Sequence, residues 1–146
     1  MLAPLCLLPT DAVALGWQCV PSITSLQREI LLNKEAIAIN QDVTPAGRLL
    51  LAADKSAMVY ARNLTGGDVA VALYNPTDVA ADGQFDFASL GWSSGASASV
   101  RDLWAHKDLG AVTGRFPSSG SLPVEPHATV LLRLSPKTAP PLVEAQ

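Results

Sequence analysis

The chain has 146 residues, of which 49% are hydrophobic and 16% are charged, and its formal net charge is −3. This length fits one domain that can bury a core, and this composition excludes wholesale disorder. The ten lysines and arginines are scattered, which argues against binding to nucleic acid or to an anionic membrane. No uninterrupted apolar run is long enough for a transmembrane helix.

Residues 1–22 form an irregular, apolar N-terminal segment. Its hydrophobicity is typical of a signal peptide, but no basic residue follows Met1, and prolines and Asp11 interrupt the run. The chain's two cysteines, Cys6 and Cys19, both lie in this segment. They could form one bridge, but a single pair is too small for a disulfide framework or a zinc site. Neither the redox compartment nor secretion is predicted from this segment.

Residues 23–42 predict one or two short helices. Thr24 followed three positions later by Gln27 is a capping-box pattern, so we expect a helix to begin at Thr24. Asn33 is placed as the C-cap of that helix. The next piece, EAIAINQD, alternates two isoleucines as a strand would, but it is short and Ala-rich. We interpret it as a second short helix.

From residue 43 to residue 135, short alternating runs replace the helical pattern and predict an antiparallel β-domain. The clearest hairpin joins strands over 58–63 and 69–74 through the loop Leu64-Thr65-Gly66-Gly67. The spacing of about seven strands is typical of a β-sandwich, so the predicted fold class is mainly β, an antiparallel sandwich preceded by the short helices. Further strands are expected at 85–87, 100–104, 121–125 and 128–134.

Two stretches in the C-terminal part of the chain are predicted to lack long strands. Residues 105–120 are rich in glycine and serine and predict loops with one short connecting strand. Residues 136–146 are rich in proline and predict a tail.

Aspartates are the natural candidates for hydrolytic chemistry. Asp68 follows Gly66-Gly67, Asp78 lies shortly after Pro76, and Asp82 precedes Gly83, which are positions where an aspartate side chain bonds its own backbone in a turn. A glycosidase needs two carboxylates about 5 to 9.5 Å apart across a sugar, and nothing in the sequence indicates which two could meet. No catalytic residue is therefore assigned. The aspartates considered are Asp54, Asp68, Asp78, Asp82, Asp102 and Asp108.

The two histidines, His106 and His127, are predicted to be exposed loop residues. No H-x₃-H or C-x₂-C spacing occurs, so no metal site is predicted. The glycine clusters match no phosphate-binding pattern, and no cofactor is predicted.

Five aromatic residues could stack on sugar rings. Trp92 is the best candidate because it falls in a predicted loop, whereas Tyr60, Tyr74 and Trp104, within strands, are expected to be core or half-buried residues. The set comprises Trp17, Tyr60, Tyr74, Trp92 and Trp104.

The sequence also holds one N-glycosylation sequon, Asn63-Leu64-Thr65, on the predicted hairpin loop. Such sequons often arise by chance, and Asn75-Pro76-Thr77 is blocked by its proline.

The string EILLNKEAIAINQD at residues 29–42 resembles the end of the catalytic barrel in family 27 glycoside hydrolases, the α-galactosidases and α-N-acetylgalactosaminidases. MVYARNLTGGDVAVALYN, SVRDLWAHKDLG and VEPHATVLLRL resemble the family's β-domain strands in the same order. The resemblance covers residues 22–135. One departure is Asn40-Gln41-Asp42-Val43-Thr44-Pro45, where family members usually read NQDPLG.

The resemblance implies a (β/α)₈ barrel followed by an antiparallel β-domain, and a barrel that hydrolyses terminal α-galactosides with retention through two aspartates. The family's Y-x-K-Y-D motif does not occur in this sequence, so no catalytic residue is carried over. The resemblance predicts the C-terminal part of such an enzyme, inactive alone, that meets α-galactosides only through a barrel. Secretion, or delivery to a lysosome or vacuole, is the family expectation.

Two hypotheses compete with this one: a stand-alone β-sandwich that binds carbohydrate or a protein partner, and a truncated product without function. Without a barrel, Ile30, Leu31 and Ile37 are expected to expose a contiguous apolar patch. Self-association through this helix face is then expected.

Overall fold

Two short helices precede ten strands in the computed structural model, which describes residues 23–52 and 56–137. The predictions for residues 1–22, for Asp54 and for the tail beyond residue 137 lie outside the described residues. The helices are α1 (Ser25–Leu31) and α2 (Lys34–Asn40). The strands are β1 (Arg48–Leu51), β2 (Met58–Asn63), β3 (Val69–Tyr74), β4 (Ala81–Gly83), β5 (Phe85–Asp86), β6 (Ser97–Asp102), β7 (Lys107–Thr113), β8 (Arg115–Phe116), β9 (Leu122–Val124) and β10 (Thr129–Pro136).

The capping box opens α1 as predicted. The Thr24 hydroxyl accepts a hydrogen bond from the Gln27 N–H at 3.2 Å, and Gln27 Oε1 accepts one from the Thr24 N–H at 2.9 Å. These two bonds satisfy backbone donors that the first turn of a helix leaves free. The helix therefore begins for a local reason, before any packing is considered.

The assignment of Asn33 as a C-cap is wrong, because Leu32 caps α1 and Asn33 is the N-cap of α2. The Asn33 Oδ1 accepts hydrogen bonds from the backbone N–H groups of Glu35 and Ala36. Asparagine is favoured at both ends of a helix, and here only Leu32 and Asn33 separate the two helices, so the second of these residues caps the following helix.

A six-stranded antiparallel sheet forms one layer of the fold, in the order β1-β2-β3-β10-β6-β7. The β2–β3 hairpin has the predicted strands and loop, and its register places Asn63 opposite Val69 and Met58 opposite Tyr74. The other layer contains two short antiparallel pairs, β4–β9 and β5–β8, and a 3-10 turn over Phe87–Leu90. The mainly β, antiparallel sandwich architecture is thus confirmed, with ten described strands in place of about seven predicted from the usual spacing.

One cluster of buried side chains fills the space between the two layers. The sheet contributes alternate residues, such as Val71, Leu73 and Leu132, which are fully buried. The opposite layer contributes Phe87 and Val124. This alternation is the period of two that places every second strand residue on the same face. The core of the sandwich is complete without either helix, since neither helix contributes a buried residue.

Residues 105–120 contain more strand than the loops and one short connecting strand that were predicted. Seven of these residues form β7, an edge strand paired with β6. The glycine of β7, Gly110, made this strand difficult to predict. Gly110 has a φ of 89° and lies where the register of β6 and β7 shifts, between Val100 and Arg101. A glycine in the left-handed region is what such a bulge requires. Pro136, which was predicted to begin the C-terminal tail, is instead the last residue of β10 and lies opposite Ala98.

Candidate functional site

The apolar side of α1 faces away from the sandwich core. Leu26 is 64% exposed and Ile30 is 48% exposed, although they are spaced as a buried helix face would be. Ile37 of α2 is 36% exposed, while Leu31 is half-buried. The predicted exposure of the helix face is therefore confirmed for Ile30 and Ile37, and Leu26 belongs to the same face.

Trp104 lies beside α1 and, with it, lines an open cleft of about 370 Å³, here called the α1 cleft. Trp104 is 36% exposed, more than is expected of a core or half-buried residue. The reason is local: Asp102 ends β6, and its carboxylate accepts hydrogen bonds from the N–H groups of Trp104 and Ala105, at 2.9 and 3.0 Å. The cleft is lined by Leu26, Glu29, Ile30, Asn33, Trp104 and Thr129.

Trp92, the predicted sugar platform, is a core residue. It is 9% exposed and meets Phe87 edge to face, with ring centroids 5.2 Å apart and an interplanar angle of 85°. At least one face of a tryptophan ring must be accessible to solvent for a sugar to stack on it. Tyr60 and Tyr74 are half-buried in their strands. Trp17 lies outside the described residues.

A charged cluster holds α2 on the β6–β7 hairpin. Arg101 of β6 donates to both carboxylate oxygens of Glu35, from Nε at 2.6 Å and from Nη2 at 3.0 Å. His106 Nδ1 lies 2.7 Å from the same Glu35 carboxylate, and Arg101 Nη1 donates to Asp108 at 2.9 Å. The hydrogen bonds from Arg101, and then from His106, lower the pKa of Glu35 to about 2. Its two carboxylate partners raise the pKa of Arg101.

Two arginines stand side by side on this outer face of the sheet, since Arg133 of β10 pairs with Arg101 of β6. Like charges directly opposite each other destabilise a sheet unless they are compensated. Asp68 from the β2–β3 hairpin accepts a hydrogen bond from Arg133 Nε at 2.6 Å, while Glu35 and Asp108 neutralise Arg101. The cluster is thus a balanced set of ion pairs rather than a site for an anionic ligand.

Arg62 of β2 performs the same anchoring task at the other end of α2. Its guanidinium donates to the carbonyl oxygens of Ile39, Asp42 and Thr44, at 2.7, 2.6 and 2.7 Å. Ile39 lies in the last turn of α2, where carbonyl oxygens lack the usual intrahelical partner, and Asp42 and Thr44 lie in the segment that follows the helix. Nearby, hydrogen bonds from Thr44 and from Thr65 lower the pKa of Asp42 to about 2. Both ends of α2 are therefore fixed to the sheet by charged side chains.

The remaining predicted candidates lie apart from one another. His127 Nε2 is 2.9 Å from Asp78 Oδ1, and both groups are largely exposed. Asp82 accepts from the Ser121 hydroxyl at 2.6 Å. Turn chemistry therefore accounts for Asp102, whereas Asp68, Asp78, Asp82 and Asp108 contact side chains from elsewhere in the chain. Asp54 lies outside the described residues.

Glu35 and Asp42 are unsuited to the role of a general acid. A general acid needs a raised pKa so that it holds a proton at neutral pH, and the pKa values of Glu35 and Asp42 are lowered. Within residues 23–52 and 56–137, no group of three or more metal-ligating side chains comes together. The same ranges hold no helix long and apolar enough to cross a membrane.

The residues that matter most here, Asn33, Glu35, Arg62 and Arg101, were not candidates in the sequence. The only available signal was the helix spacing of Leu26 and Ile30, which marks an apolar face but not its direction.

A family model described as the alpha galactosidase C-terminal beta sandwich domain matches residues 54–134. Alpha-galactosidase 3 of Arabidopsis thaliana is 36% identical over 122 residues, which cover 82% of this chain and 27% of that protein. An alpha-galactosidase of Oryza sativa subsp. japonica is 30% identical and covers 80% of this chain and 27% of its own length. The chain thus spans about a quarter of the length of the curated relatives it matches.

Solved structures agree with this match. Alpha-galactosidase I from Mortierella vinacea superposes with a TM-score of 0.71 at 29% identity, covering 81% of this chain and 30% of that one. A β-L-arabinopyranosidase from Geobacillus stearothermophilus gives a TM-score of 0.70 at 23% identity, with coverage of 81% and 26%, which supports the fold alone.

Proposed function

Because the chain belongs to the alpha galactosidase C-terminal β-sandwich family, we propose that it serves as the β-domain of an α-galactosidase-type glycoside hydrolase. In this proposal a catalytic (β/α)₈ barrel hydrolyses terminal α-galactosides, and the sandwich supports that barrel. The observation that carries the proposal is the exposed apolar side of α1 beside Trp104.

The free energy of burying the apolar side of α1 favours a partner domain. The sandwich buries its own core, so Leu26 and Ile30 are not needed to complete it. Burial of apolar surface contributes about 25 cal/mol per Å², so an apolar helix face left in water forgoes stabilisation that a partner would supply. Asn33, which directly follows the C-cap of α1, is bonded to Leu103, and Glu35 and Arg62 hold the next helix, α2, on the sheet. An apolar helix face that is positioned by such contacts and that no described residue buries is suited to a domain interface.

The identity of the partner rests on the family. In the relatives, the segment matched by this chain is about a quarter of the protein, and the resemblance of residues 29–42 is to the end of a catalytic barrel. We therefore commit to the barrel as the occupant of the α1 cleft. The sandwich then acts by covering a barrel surface, and no residue of the described chain is assigned a chemical step.

The test is a hybrid enzyme in which this chain replaces the matching 122-residue segment of Arabidopsis alpha-galactosidase 3. The chain alone is expected not to hydrolyse a chromogenic α-galactoside, whereas the hybrid is expected to hydrolyse it. Leu26→Asp is expected to lower the melting temperature and the activity of the hybrid. The same substitution in the isolated chain is expected to leave unfolding nearly unchanged, because Leu26 is exposed there.

Val79→Asp is the matched control, since Val79 is 69% exposed but belongs to the connection between β3 and β4. It is expected to change neither the hybrid nor the isolated chain. Turnover by the chain alone would contradict the proposal, and so would a hybrid that tolerates Leu26→Asp as well as it tolerates Val79→Asp.

Self-association is the competing occupant of this face. The isolated chain is expected to associate through α1 at high concentration, and Leu26→Asp is expected to reduce that association in sedimentation experiments. A chain that stays monomeric at every concentration would argue that the face needs no partner. The carbohydrate-binding hypothesis loses its candidate residue, because Trp92 is buried.

A further inference from the structure

We propose that Asn63 is an N-glycosylation site, which accepts a glycan whenever the chain is translocated into the secretory pathway. This inference concerns a covalent modification and does not depend on the proposed function. The sequon Asn63-Leu64-Thr65 is the one acceptor sequence in the chain without a proline at its middle position.

The structure places Asn63 where an attached sugar fits. Asn63 is the last residue of β2, and its side chain is exposed. The backbone of Asn63 makes contacts within the fold: its carbonyl accepts a hydrogen bond from the Thr44 hydroxyl at 2.6 Å, and the residue pairs with Val69 of β3. Among the described residues, no group hydrogen-bonds its carboxamide. A glycan on this nitrogen would therefore displace no contact of the fold.

The same fold shows what an unsuitable asparagine is like. Asn75 is fully buried, and its carboxamide nitrogen donates to the carbonyl oxygens of Val79, Val124 and Glu125. Its sequence Asn75-Pro76-Thr77 is the one that proline blocks. The chain thus carries a blocked sequence where a glycan would destroy the core, and an open sequon where the side chain faces solvent.

The glycan would also lie away from the α1 cleft. Thr129, which lines the cleft, pairs with Tyr74, and Tyr74 pairs with Met58 at the start of β2. Asn63 lies at the opposite end of the same strand. Five residues of strand at about 3.3 Å each separate the two ends by roughly 17 Å. Modification of Asn63 and docking of a barrel on α1 are therefore compatible.

The chemistry is a group transfer from a lipid-linked oligosaccharide diphosphate. The amide nitrogen of Asn63 bonds to the anomeric carbon of the sugar and loses one proton, and the bond from that carbon to the diphosphate oxygen breaks. The lipid diphosphate leaves. In the folded chain the Thr65 hydroxyl donates to Asp42 at 3.1 Å, so the sequon is free only before α2 and its following segment pack against the hairpin. Transfer to the nascent chain satisfies this order.

The test is translation of the full chain, behind a cleavable signal peptide, in the presence of microsomes. A single endoglycosidase-sensitive increase in mass is expected for the wild type and for Thr65→Ser, which keeps the hydroxyl. Asn63→Gln and Thr65→Ala are expected to lose it. These outcomes do not require a folded product, since transfer precedes folding.

An unrelated sequon-bearing chain, translated in the same microsomes, shows that they are competent. If that chain is glycosylated and the wild type is recovered inside the microsomes with the mass of Asn63→Gln, the proposal is overturned. A mass increase that persists in Asn63→Gln would overturn it equally, because the sugar would then sit elsewhere.

Discussion

The carboxamide nitrogen of Asn33 donates a hydrogen bond to the carbonyl oxygen of Leu103, 70 residues away in sequence, at a distance of 2.8 Å. The other end of the same side chain caps α2. Asn33 is 4% exposed, although every residue of α1 before it is exposed or half-buried. One buried amide thus joins the two helices to the end of β6, and it holds α1 beside Trp104.

Replacement of Asn33 by alanine should lower the free energy of unfolding by about 2 kcal/mol, because an N-cap is lost and a buried carbonyl is left unpaired. Urea denaturation measures this change. Thr24→Ala is the matched control, since it removes an exposed N-cap with no tertiary contact. It should cost about 1 kcal/mol or less. Equal effects of the two variants would show that the bond to Leu103 contributes little.

Arg62→Ala should release the C-terminus of α2, because three carbonyl oxygens lose their shared donor. We expect a loss of about 2 to 3 kcal/mol, given the strength of hydrogen bonds from a charged group. Hydrogen exchange should show faster exchange of the α2 amides than of the β3 amides. Arg28→Ala, on the exposed side of α1, should change stability by no more than about 0.5 kcal/mol. An α2 that exchanges at its wild-type rate in Arg62→Ala would contradict this role.

Glu35 should make the stability of the chain depend on pH in acid. Its pKa is lowered from 4.5 to about 2 in the folded chain, so its contribution is complete above pH 4.5 and is lost as the pH falls toward about 2. At pH 7, Glu35→Gln should therefore be less stable than the wild type. The difference between the two proteins should shrink steadily across that window, as followed by denaturation at a series of pH values.

Glu29→Gln is the control for the pH experiment, because Glu29 is an exposed carboxylate on α1 without an ion pair in the described chain. The stability of Glu29→Gln should depend on pH in the same way as that of the wild type. A Glu35→Gln profile parallel to the wild-type profile between pH 4.5 and 2 would show that the ion pair with Arg101 does not form.

The two tryptophans of the described β-domain should respond in opposite ways. Trp92→Ala should cost about 3 to 5 kcal/mol, because it removes a buried ring that packs on Phe87. Trp104→Ala should cost no more than about 1 kcal/mol in the isolated chain, since Trp104 is partly exposed. In the hybrid enzyme, Trp104→Ala should lower the melting temperature. Comparable losses for both variants in the isolated chain would place Trp104 in the core.

Local signals made part of this fold predictable. The Thr24 capping box begins a helix because the bonds that satisfy its first turn span three residues. The β2–β3 hairpin followed from two alternating runs around Gly66 and Gly67, both of which have positive φ. The strand ending the sandwich followed from the alternation of residues 128–134. In each case the deciding interaction lies within a few residues.

Other features could not be predicted because their sequence pattern was weak or because the deciding contact is distant in sequence. Trp92 and Trp104 could not be distinguished from their neighbours, because burial of Trp92 depends on where Phe87 and the sheet meet. Strand β7 was hidden because its pairing with β6 needs a glycine bulge that a single strand does not reveal. Strand β1 was missed because it is an edge strand with mostly exposed residues, so its sequence carries little alternation.

By itself, the sequence determined the fold class, the family resemblance and the sequon at Asn63, because each is written in runs of adjacent residues or in their spacing. Only the tertiary structure decided that Glu35 meets Arg101 across 66 residues, that Asn33 reaches Leu103, and that α1 presents Leu26 outward beside Trp104. A side chain's periodicity fixes which residues share a face, but the packing of distant segments fixes what that face meets. The exposed face of α1, and with it the proposed docking of a barrel, belongs to this second kind of information.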